Sequence, residues 1–267
     1  MEYLEFASQL AREAGDVLKY YAAREKKVEH KGRANLVTVA DRESETLIIR
    51  EIRSRYPNHT ILAEESGLSE EAGQGRWIID PLDGTTNYAH QFPMFCVSIG
   101  FEHEGQILCG AVYDPVRDEL FSGSRGGGAF VNGEPITVSD VERLEDGLLL
   151  TGFPYAFREK MEFPMGLFRS FLVASQAVRR GGAAALDLCY LAAGRCDGFW
   201  ELDLNPWDTV AGVVIAEEAG ARVTNFDGRN FSIYSKEILV SNSLIHDEMI
   251  RVVGRGDGNE EEVVSEN

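Results

Sequence analysis

The sequence predicts a mixed fold of helices and sheets, with an α+β first half and an α/β second half. Two amphipathic segments come first, short β-rich runs joined by tight turns follow, and strands alternate with helices beyond Glu142. A chain of 267 residues is long enough to bury a large core. We therefore expect one domain over residues 1–254, built of two lobes that span roughly residues 1–145 and 146–254.

Two helices are predicted at the start of the chain. Apolar residues recur at steps of three and four between residues 2 and 25, which indicates an amphipathic helix. The segment Arg42 to Tyr56 repeats this pattern, with Asp41 as its candidate N-cap and Pro57 just beyond its end. We expect the second helix to pack near the first.

Short strands are predicted from Thr60 onward. Turn signals at Glu104-Gly105, Asp114-Pro115 and Asn132-Gly133 separate several of them. The segments cover residues 60–63, 77–79, 96–101, 107–113 and 119–121. This order of strands and tight turns predicts an antiparallel meander.

The second half alternates between the two kinds of element. The predicted strands cover residues 148–151, 198–201, 222–224 and 238–241, and the predicted helices about 158–175, 183–193, 208–219 and 244–253. We interpret Gly181-Gly182 as a turn. Residues 255–267 are rich in glycine and then acidic, so we expect a disordered tail.

The net charge of −18 argues against whole classes of partner. Without the stretch Gly254 to Asn267 the body still carries −14, and a surface of that sign repels nucleic acid and anionic lipid. We therefore expect no direct binding of nucleic acid or membrane. If the substrate is itself anionic, carboxylates loaded with divalent cations would attract it.

The chain has no apolar run long enough to cross a membrane and lacks the basic opening of a signal peptide. Its four cysteines, at positions 96, 109, 189 and 196, contain no C-x-x-C pair. These features predict a cytoplasmic protein with buried free thiols.

The segment from Trp77 to Asn87 has the strongest chemical signal. An apolar strand ends in Asp80 and Asp83, a proline stiffens the link, and Gly84 permits close approach of the backbone to a ligand. Two carboxylates and a backbone carbonyl are ligands that Mg²⁺ accepts. The alternative is that both aspartates are turn and capping residues, since Asp is common before Pro and Gly.

Four further acidic residues are weaker signals on their own. Glu64 and Glu65 follow an apolar strand, where adjacent glutamates are usually solvated. Asp208 opens an apolar helix and Asp41 precedes another, and Asp is a favoured N-cap. Each of these residues has a structural alternative to a chemical role.

Taken together, the segments resemble the inositol monophosphatase family of Mg²⁺-dependent phosphomonoesterases, part of the lithium-sensitive sugar phosphatase superfamily. The resemblance covers nearly the whole chain and depends on N-L-V-T-V-A-D ending at Asp41, A-E-E-S at 63–66, D-P-L-D-G-T-T-N at 80–87, and W-D at 207–208. It implies a layered α/β/α/β/α sandwich, a homodimer, and hydrolysis of a small sugar or polyol phosphate such as inositol 1-phosphate by metal-activated water.

The resemblance also assigns roles to residues. The implied metal ligands, for two or three Mg²⁺ ions, are Glu64, Asp80, the Leu82 carbonyl, Asp83 and Asp208, with Asp80 bridging. Thr85 and Glu64 would hold the attacking water, and Asp41 would orient Thr85. The implied contacts to substrate come from Asp83, Gly84, Thr85, Glu201 and Asp208, with the phosphate on the N–H groups of Gly84 and Thr85.

Recognition of the alcohol portion is left open by the sequence. Glu201 aligns with a position that binds a sugar hydroxyl, or it is a surface glutamate on an edge strand. Ala183 stands where the family usually has Ser or Thr, so one hydrogen bond to inositol is missing. Arg179 and Arg180 contact either the substrate or a dimer interface.

Several other functions remain compatible with the resemblance. Related enzymes are fructose-1,6-bisphosphatases, nucleotide 3′-phosphatases and NADP phosphatases, although the length of this chain favours a small substrate. A bacterial member resembles a binding partner of the transcription machinery, a role in which catalysis is dispensable.

Overall fold

A computed structural model of the chain describes residues 2–23, 28–30, 36–69, 73, 75–154 and 161–256. Within these residues the α-helices are α1 (Glu2–Ala22), α2 (Val39–Arg55), α3 (Thr85–Ala89), α4 (Glu162–Ala174), α5 (Ala184–Ala192), α6 (Pro206–Glu218) and α7 (His246–Gly256). A 3-10 turn covers Leu144–Asp146.

The strands form three sheets. A two-stranded sheet pairs β1 (Val28–His30) with β2 (Leu36–Thr38). The eight-stranded sheet has the order β10-β9-β8-β7-β6-β5-β3-β4 and consists of β3 (Thr60–Ala63), β4 (Gly67–Leu68), β5 (Gly75–Asp83), β6 (Cys96–His103), β7 (Gln106–Asp114), β8 (Glu119–Ser124), β9 (Gly128–Val131) and β10 (Glu134–Pro135). The five-stranded sheet has the order β12-β11-β13-β15-β14 and consists of β11 (Leu148–Thr151), β12 (Ala177–Arg180), β13 (Gly198–Leu202), β14 (Arg222–Thr224) and β15 (Glu237–Ser241).

Helices and sheets alternate in five layers. Helices α1 and α2 pack on one face of the eight-stranded sheet, and α6 packs on the other face, beside α5. Helix α5 also contacts the five-stranded sheet, whose far side carries α4 and α7. Three apolar clusters fill the spaces between these layers. The predicted α/β/α/β/α sandwich is therefore confirmed.

The predicted meander is present from β5 to β10, where each strand pairs antiparallel with the next. Strand β3 departs from it, because β3 pairs parallel with β5. Tight turns at Glu104-Gly105 and Asn132-Gly133 have positive φ at both residues, as the turn signals predict. The four cysteines are buried and free, also as predicted.

Several helix boundaries differ from those expected. Helix α2 begins at Val39, directly after β2, so Asp41 lies inside its first turn and is not the N-cap. Helix α6 begins at Pro206 with Asn205 as N-cap, because Pro suits the first helical position, so Asp208 is not the N-cap either. Arg255 and Gly256 belong to α7 rather than to the tail. The rest of the predicted tail and residues 158–160 of the predicted helix at 158–175 lie outside the described residues.

No helix in the described part of the chain is long and apolar enough to span a membrane.

A buried histidine joins α7 to the five-stranded sheet. The ring nitrogens of His246 lie 2.9 Å from Thr224 Oγ1 and 2.9 Å from Ser241 Oγ. The residue is fully buried, and burial lowers its pKa to about 4. The folded protein therefore holds His246 neutral, and stability should be lost as the pH falls from 6.5 toward 4.

The unfolded chain binds a proton at His246 at a higher pH than the folded protein does. We therefore expect His246 to lower the free energy of unfolding by about 2 kcal/mol between pH 7 and pH 5. Urea unfolding of the wild type and of His246→Gln at both pH values measures this term as the difference between the two proteins. Equal pH dependence in the two would show that His246 is not the responsible group.

Candidate active site

The chain turns sharply where β5 ends. The pairing of β5 with β6 shifts register between Asp80 and Asp83, and Gly84 then adopts a left-handed conformation with φ of 92° before α3 begins. A Cβ at position 84 would lie 2.9 Å from the Met94 carbonyl oxygen. The turn therefore requires glycine, and it brings the backbone of Gly84 and Thr85 to the edge of a pocket.

Three aspartates, two from the end of β5 and one from the first turn of α6, are oriented by backbone N–H groups. Asp80 accepts a hydrogen bond from Leu82 N at 2.9 Å, Asp83 from Ala185 N at 2.8 Å, and Asp208 from Asn205 N at 2.6 Å. The bond to Ala185 links β5 to α5, so the two halves of the chain meet at the carboxylates. The alternative that these aspartates serve only their own turns accounts for the bonds of Asp80 and Asp208 but not for that of Asp83.

These carboxylates share a buried and electrostatically unfavourable environment. Burial raises the pKa of Asp80, and the charges of Glu64, Asp83 and Asp208 raise it further. Burial also raises the pKa of Asp83 to about 6 and that of Asp208 to about 7. Like charges at one buried locus cost free energy unless protons or cations compensate them.

Thr85 lies next to this carboxylate cluster and contacts α2. Its Oγ1 is 3.2 Å from Asp41 Oδ1 and 3.1 Å from the Leu82 carbonyl oxygen. Asp41 is fully buried in the first turn of α2. The hydroxyl of Thr85 is thus held between two acceptors.

Two further side chains of α2 form hydrogen bonds to loops of the site, and neither contact was predicted from the sequence. Ser44 Oγ donates to the Pro81 carbonyl oxygen at 2.9 Å, and Glu45 accepts from Glu65 N at 3.0 Å. Burial raises the pKa of Glu45. The sequence did contain a signal for these contacts, because residues 41, 44 and 45 have the i, i+3, i+4 spacing that places polar side chains on one face of a helix.

Glu64 follows β3 at the same end of the sheet. Its backbone N–H donates to the Ile79 carbonyl oxygen at 3.3 Å, one residue before Asp80. The side chain is half-buried rather than solvated. Because β3 and β5 run parallel, their carboxyl ends bring Glu64 and Asp80 to one edge of the sheet.

The second half of the chain supplies the opposite wall of the pocket. The first half contributes Asp83–Thr86 to the lining of the pocket. The second half contributes Gly152–Pro154, Arg180, Gly182–Ala184, Glu201–Asn205 and Asp208. Glu201 is only 9% exposed, and β13 lies between β11 and β15, so the alternative of a surface glutamate on an edge strand is wrong. Ala183 is buried at the start of α5.

Asn87 ties the two walls together and was not assigned a role from the sequence. Its Nδ2 donates to the carbonyl oxygens of Met94 at 2.7 Å and Gly181 at 3.0 Å. The Asn87 side chain therefore connects the turn at Gly181-Gly182 to the loop that carries Asp80 and Asp83. A side-chain amide at the end of a carboxylate loop is the only signal that the sequence offered for this contact.

Within the residues that the structure describes, no group of three or more His, Cys, Asp or Glu side chains lies close enough to hold a metal ion as placed. The hydrogen bonds from Leu82, Ala185 and Asn205 hold one oxygen of each aspartate toward the backbone instead. The assignment of metal ligands therefore stays a prediction.

The five-layer fold, with a carboxylate-lined pocket between its two halves, is that of a phosphoric monoester hydrolase. The chain belongs to the inositol monophosphatase family, whose sequence profile matches residues 1–255. Members of this family are generally metal-dependent.

Individual relatives cover nearly the whole chain. The Nus factor SuhB of Vibrio cholerae is 43% identical over 89% of this chain and 90% of its own. The fructose-1,6-bisphosphatase/inositol-1-monophosphatase of Thermotoga maritima is 40% identical over 95% of this chain and 96% of its own. The structure of inositol monophosphatase from Anabaena superposes with a TM-score of 0.88 at 45% identity, over 95% of this chain and 96% of the other.

Proposed function

We propose that the protein is a Mg²⁺-dependent phosphomonoesterase that hydrolyses a small sugar or polyol phosphate. The observation that carries this proposal is that Asp83 and Asp208 line one pocket together with Thr85, and that Asp80 lies close enough for its carboxylate to interact with both. The resemblance to inositol monophosphatases supports the choice of substrate class.

The donor set fits hard divalent cations. Glu64, Asp80, Asp83 and Asp208 offer only oxygen, and the pKa of Asp80 is raised first by burial and then by repulsion from the other three carboxylates, both of which bound cations would offset. With the Leu82 carbonyl, these residues would hold two or three Mg²⁺ ions. Bound Mg²⁺ supplies positive charge that neutralises the phosphate oxygens and stabilises the leaving alkoxide.

The other proposed roles belong to neighbouring groups. Thr85 Oγ1 and the Glu64 carboxylate hold the attacking water, and Asp41 orients Thr85 by accepting its hydroxyl proton in a hydrogen bond. The backbone N–H groups of Gly84 and Thr85 bind the phosphate, and Glu201 binds a hydroxyl of the alcohol portion. No side chain is needed as a nucleophile, since water attacks in line.

A phosphate-release assay tests the proposal. We expect turnover of inositol 1-phosphate with Mg²⁺, loss of turnover in chelator and its return on adding Mg²⁺. Fructose 1,6-bisphosphate, NADP and adenosine 3′,5′-bisphosphate in the same assay rank the alternative substrates. Absence of Mg²⁺-dependent release from every member of the panel would contradict the proposed function.

Lithium sensitivity follows from the same proposal. We expect millimolar lithium to inhibit turnover, because the ion competes for the more weakly held metal position. Sodium at equal concentration is the control for ionic strength. Equal rates in the two salts would place this site among lithium-insensitive relatives.

We infer that the protein is a homodimer, and an exposed apolar face on α4 supports this inference. Met161, Met165, Leu172 and Val173 are all exposed, Val173 at 82%. Exposed apolar patches of this kind commonly mark interfaces. Light scattering gives the mass in solution, and Val173→Asp should shift a dimer toward monomer; a monomeric wild type would exclude the dimer.

A role in transcription is the second candidate, favoured by the similarity to the Nus factor SuhB of Vibrio cholerae. If it holds, a catalytically inactive Asp208→Asn variant should still bind the transcription machinery of its host. Capture of purified RNA polymerase by both proteins measures this; no binding by either would exclude the role.

A further inference from the structure

Arg180 is the one positively charged side chain among the described residues that line the pocket. Arg180 is the last residue of β12 and pairs in register with Thr151, whose successor Gly152 lines the pocket together with Arg180. Among the lining residues that the structure describes, the other charged ones are acidic, namely Asp83, Glu201, Asp203 and Asp208. A guanidinium at this place changes what the pocket can bind.

Arg180 forms neither a hydrogen bond nor an ion pair in the described part of the chain, although its positive charge acts on the buried carboxylates of Asp187 and Glu201. Its side chain is exposed. The neighbouring Arg179 differs, because side chains alternate along a strand and Arg179 Nη1 donates to the Val178 carbonyl oxygen at 3.0 Å. Arg179 does not line the pocket, so it provides a matched control.

The guanidinium lies on the alcohol side of the pocket. Arg180 Nη1 would be 3.1 Å from a Cβ built on Gly182, the residue before Ala183. Burial and the charges of Asp208 and Asp83 raise the pKa of Glu201, and the charge of Arg180 opposes that rise. Arg180 is therefore placed near the group proposed to bind the alcohol.

We propose that Arg180 binds a second phosphate group, carried on the alcohol portion of the substrate. A planar guanidinium with five donors suits a bidentate contact to phosphate, and the acidic surroundings would repel a second phosphate at any other part of this wall. The site thus selects phosphomonoesters with a second phosphate over neutral polyol phosphates. This inference rests on the proposed function and narrows its substrate class.

The test compares two substrates that differ only in the second phosphate, fructose 1,6-bisphosphate and fructose 1-phosphate. We expect the wild type to prefer the bisphosphate in kcat/KM, and Arg180→Ala to lose about tenfold or more on the bisphosphate through KM, as expected for a charged hydrogen bond. The same variant should change little on the monophosphate. Arg180→Lys should restore part of the preference, and Arg179→Ala should behave as wild type.

Two results would overturn the inference. A wild type without preference for the bisphosphate is one. An Arg180→Ala variant that loses equally on both substrates is the other, because Arg180 would then only neutralise Glu201 and Asp187. If the wild type hydrolyses neither substrate nor inositol 1-phosphate, the proposed function fails instead. In that case calorimetry measures the affinity of wild type and of Arg180→Ala for the two fructose phosphates, which tests the role of Arg180 without turnover.

Discussion

Replacing Asp208 by asparagine should lower kcat by more than about a hundredfold, because loss of an anionic metal ligand removes several kcal/mol of transition-state stabilisation. The fold should be kept. Asp208 accepts the Asn205 N–H at 2.6 Å at the start of α6, and an asparagine carbonyl oxygen can accept the same bond. Phosphate release at saturating Mg²⁺ measures the loss, and circular dichroism checks the fold.

A matched control separates the loss of a proposed metal ligand from the loss of one negative charge anywhere on the protein. Asp247→Asn makes the same chemical change on α7, at an exposed residue paired with Arg222 at 2.7 Å and outside the pocket. This variant should retain wild-type turnover. Near-native activity of Asp208→Asn would refute the assignment of Asp208 to the metal site, whereas unfolding would show that its hydrogen bond to Asn205 N at the start of α6 is its main role.

Local sequence patterns predicted many of the helices, strands and turns, whereas the layered sandwich was implied by the resemblance to a family. The steps of three and four along α1 and the turns at Glu104-Gly105 and Asn132-Gly133 are local features, and the structure has them where expected. The parallel pairing of β3 with β5 was not predicted, because strand direction depends on the path of the chain between strands rather than on either strand's residues.

The candidate site shows the same division between local and long-range information. The loop from Asp80 to Asn87 was visible in sequence, since its carboxylates and glycine are adjacent. Contacts across the chain were not, such as Ala185 N to Asp83 and Asn87 to Gly181. Arg180 remained ambiguous because β12 was not predicted, and only the strand decides which of two adjacent arginines faces the pocket.

Removing the charge of Asp83 should uncouple catalysis from stability. The residue is buried near Asp80, whose pKa it raises, so without metal its negative charge destabilises the folded state. An asparagine there can still accept the Ala185 N–H, which lies 2.8 Å away. We expect Asp83→Asn to be inactive yet at least as stable as wild type in chelator.

Added Mg²⁺ should reverse that ranking. An ion that binds only the folded state stabilises it by about 2.7 kcal/mol at a hundred times its dissociation constant, and the variant should gain less because it has lost a ligand. Thermal melts of both proteins in chelator and in saturating Mg²⁺ give the four values needed. Strong destabilisation of Asp83→Asn in chelator would instead make Asp83 a structural residue, whose bond to α5 holds the two halves of the pocket together.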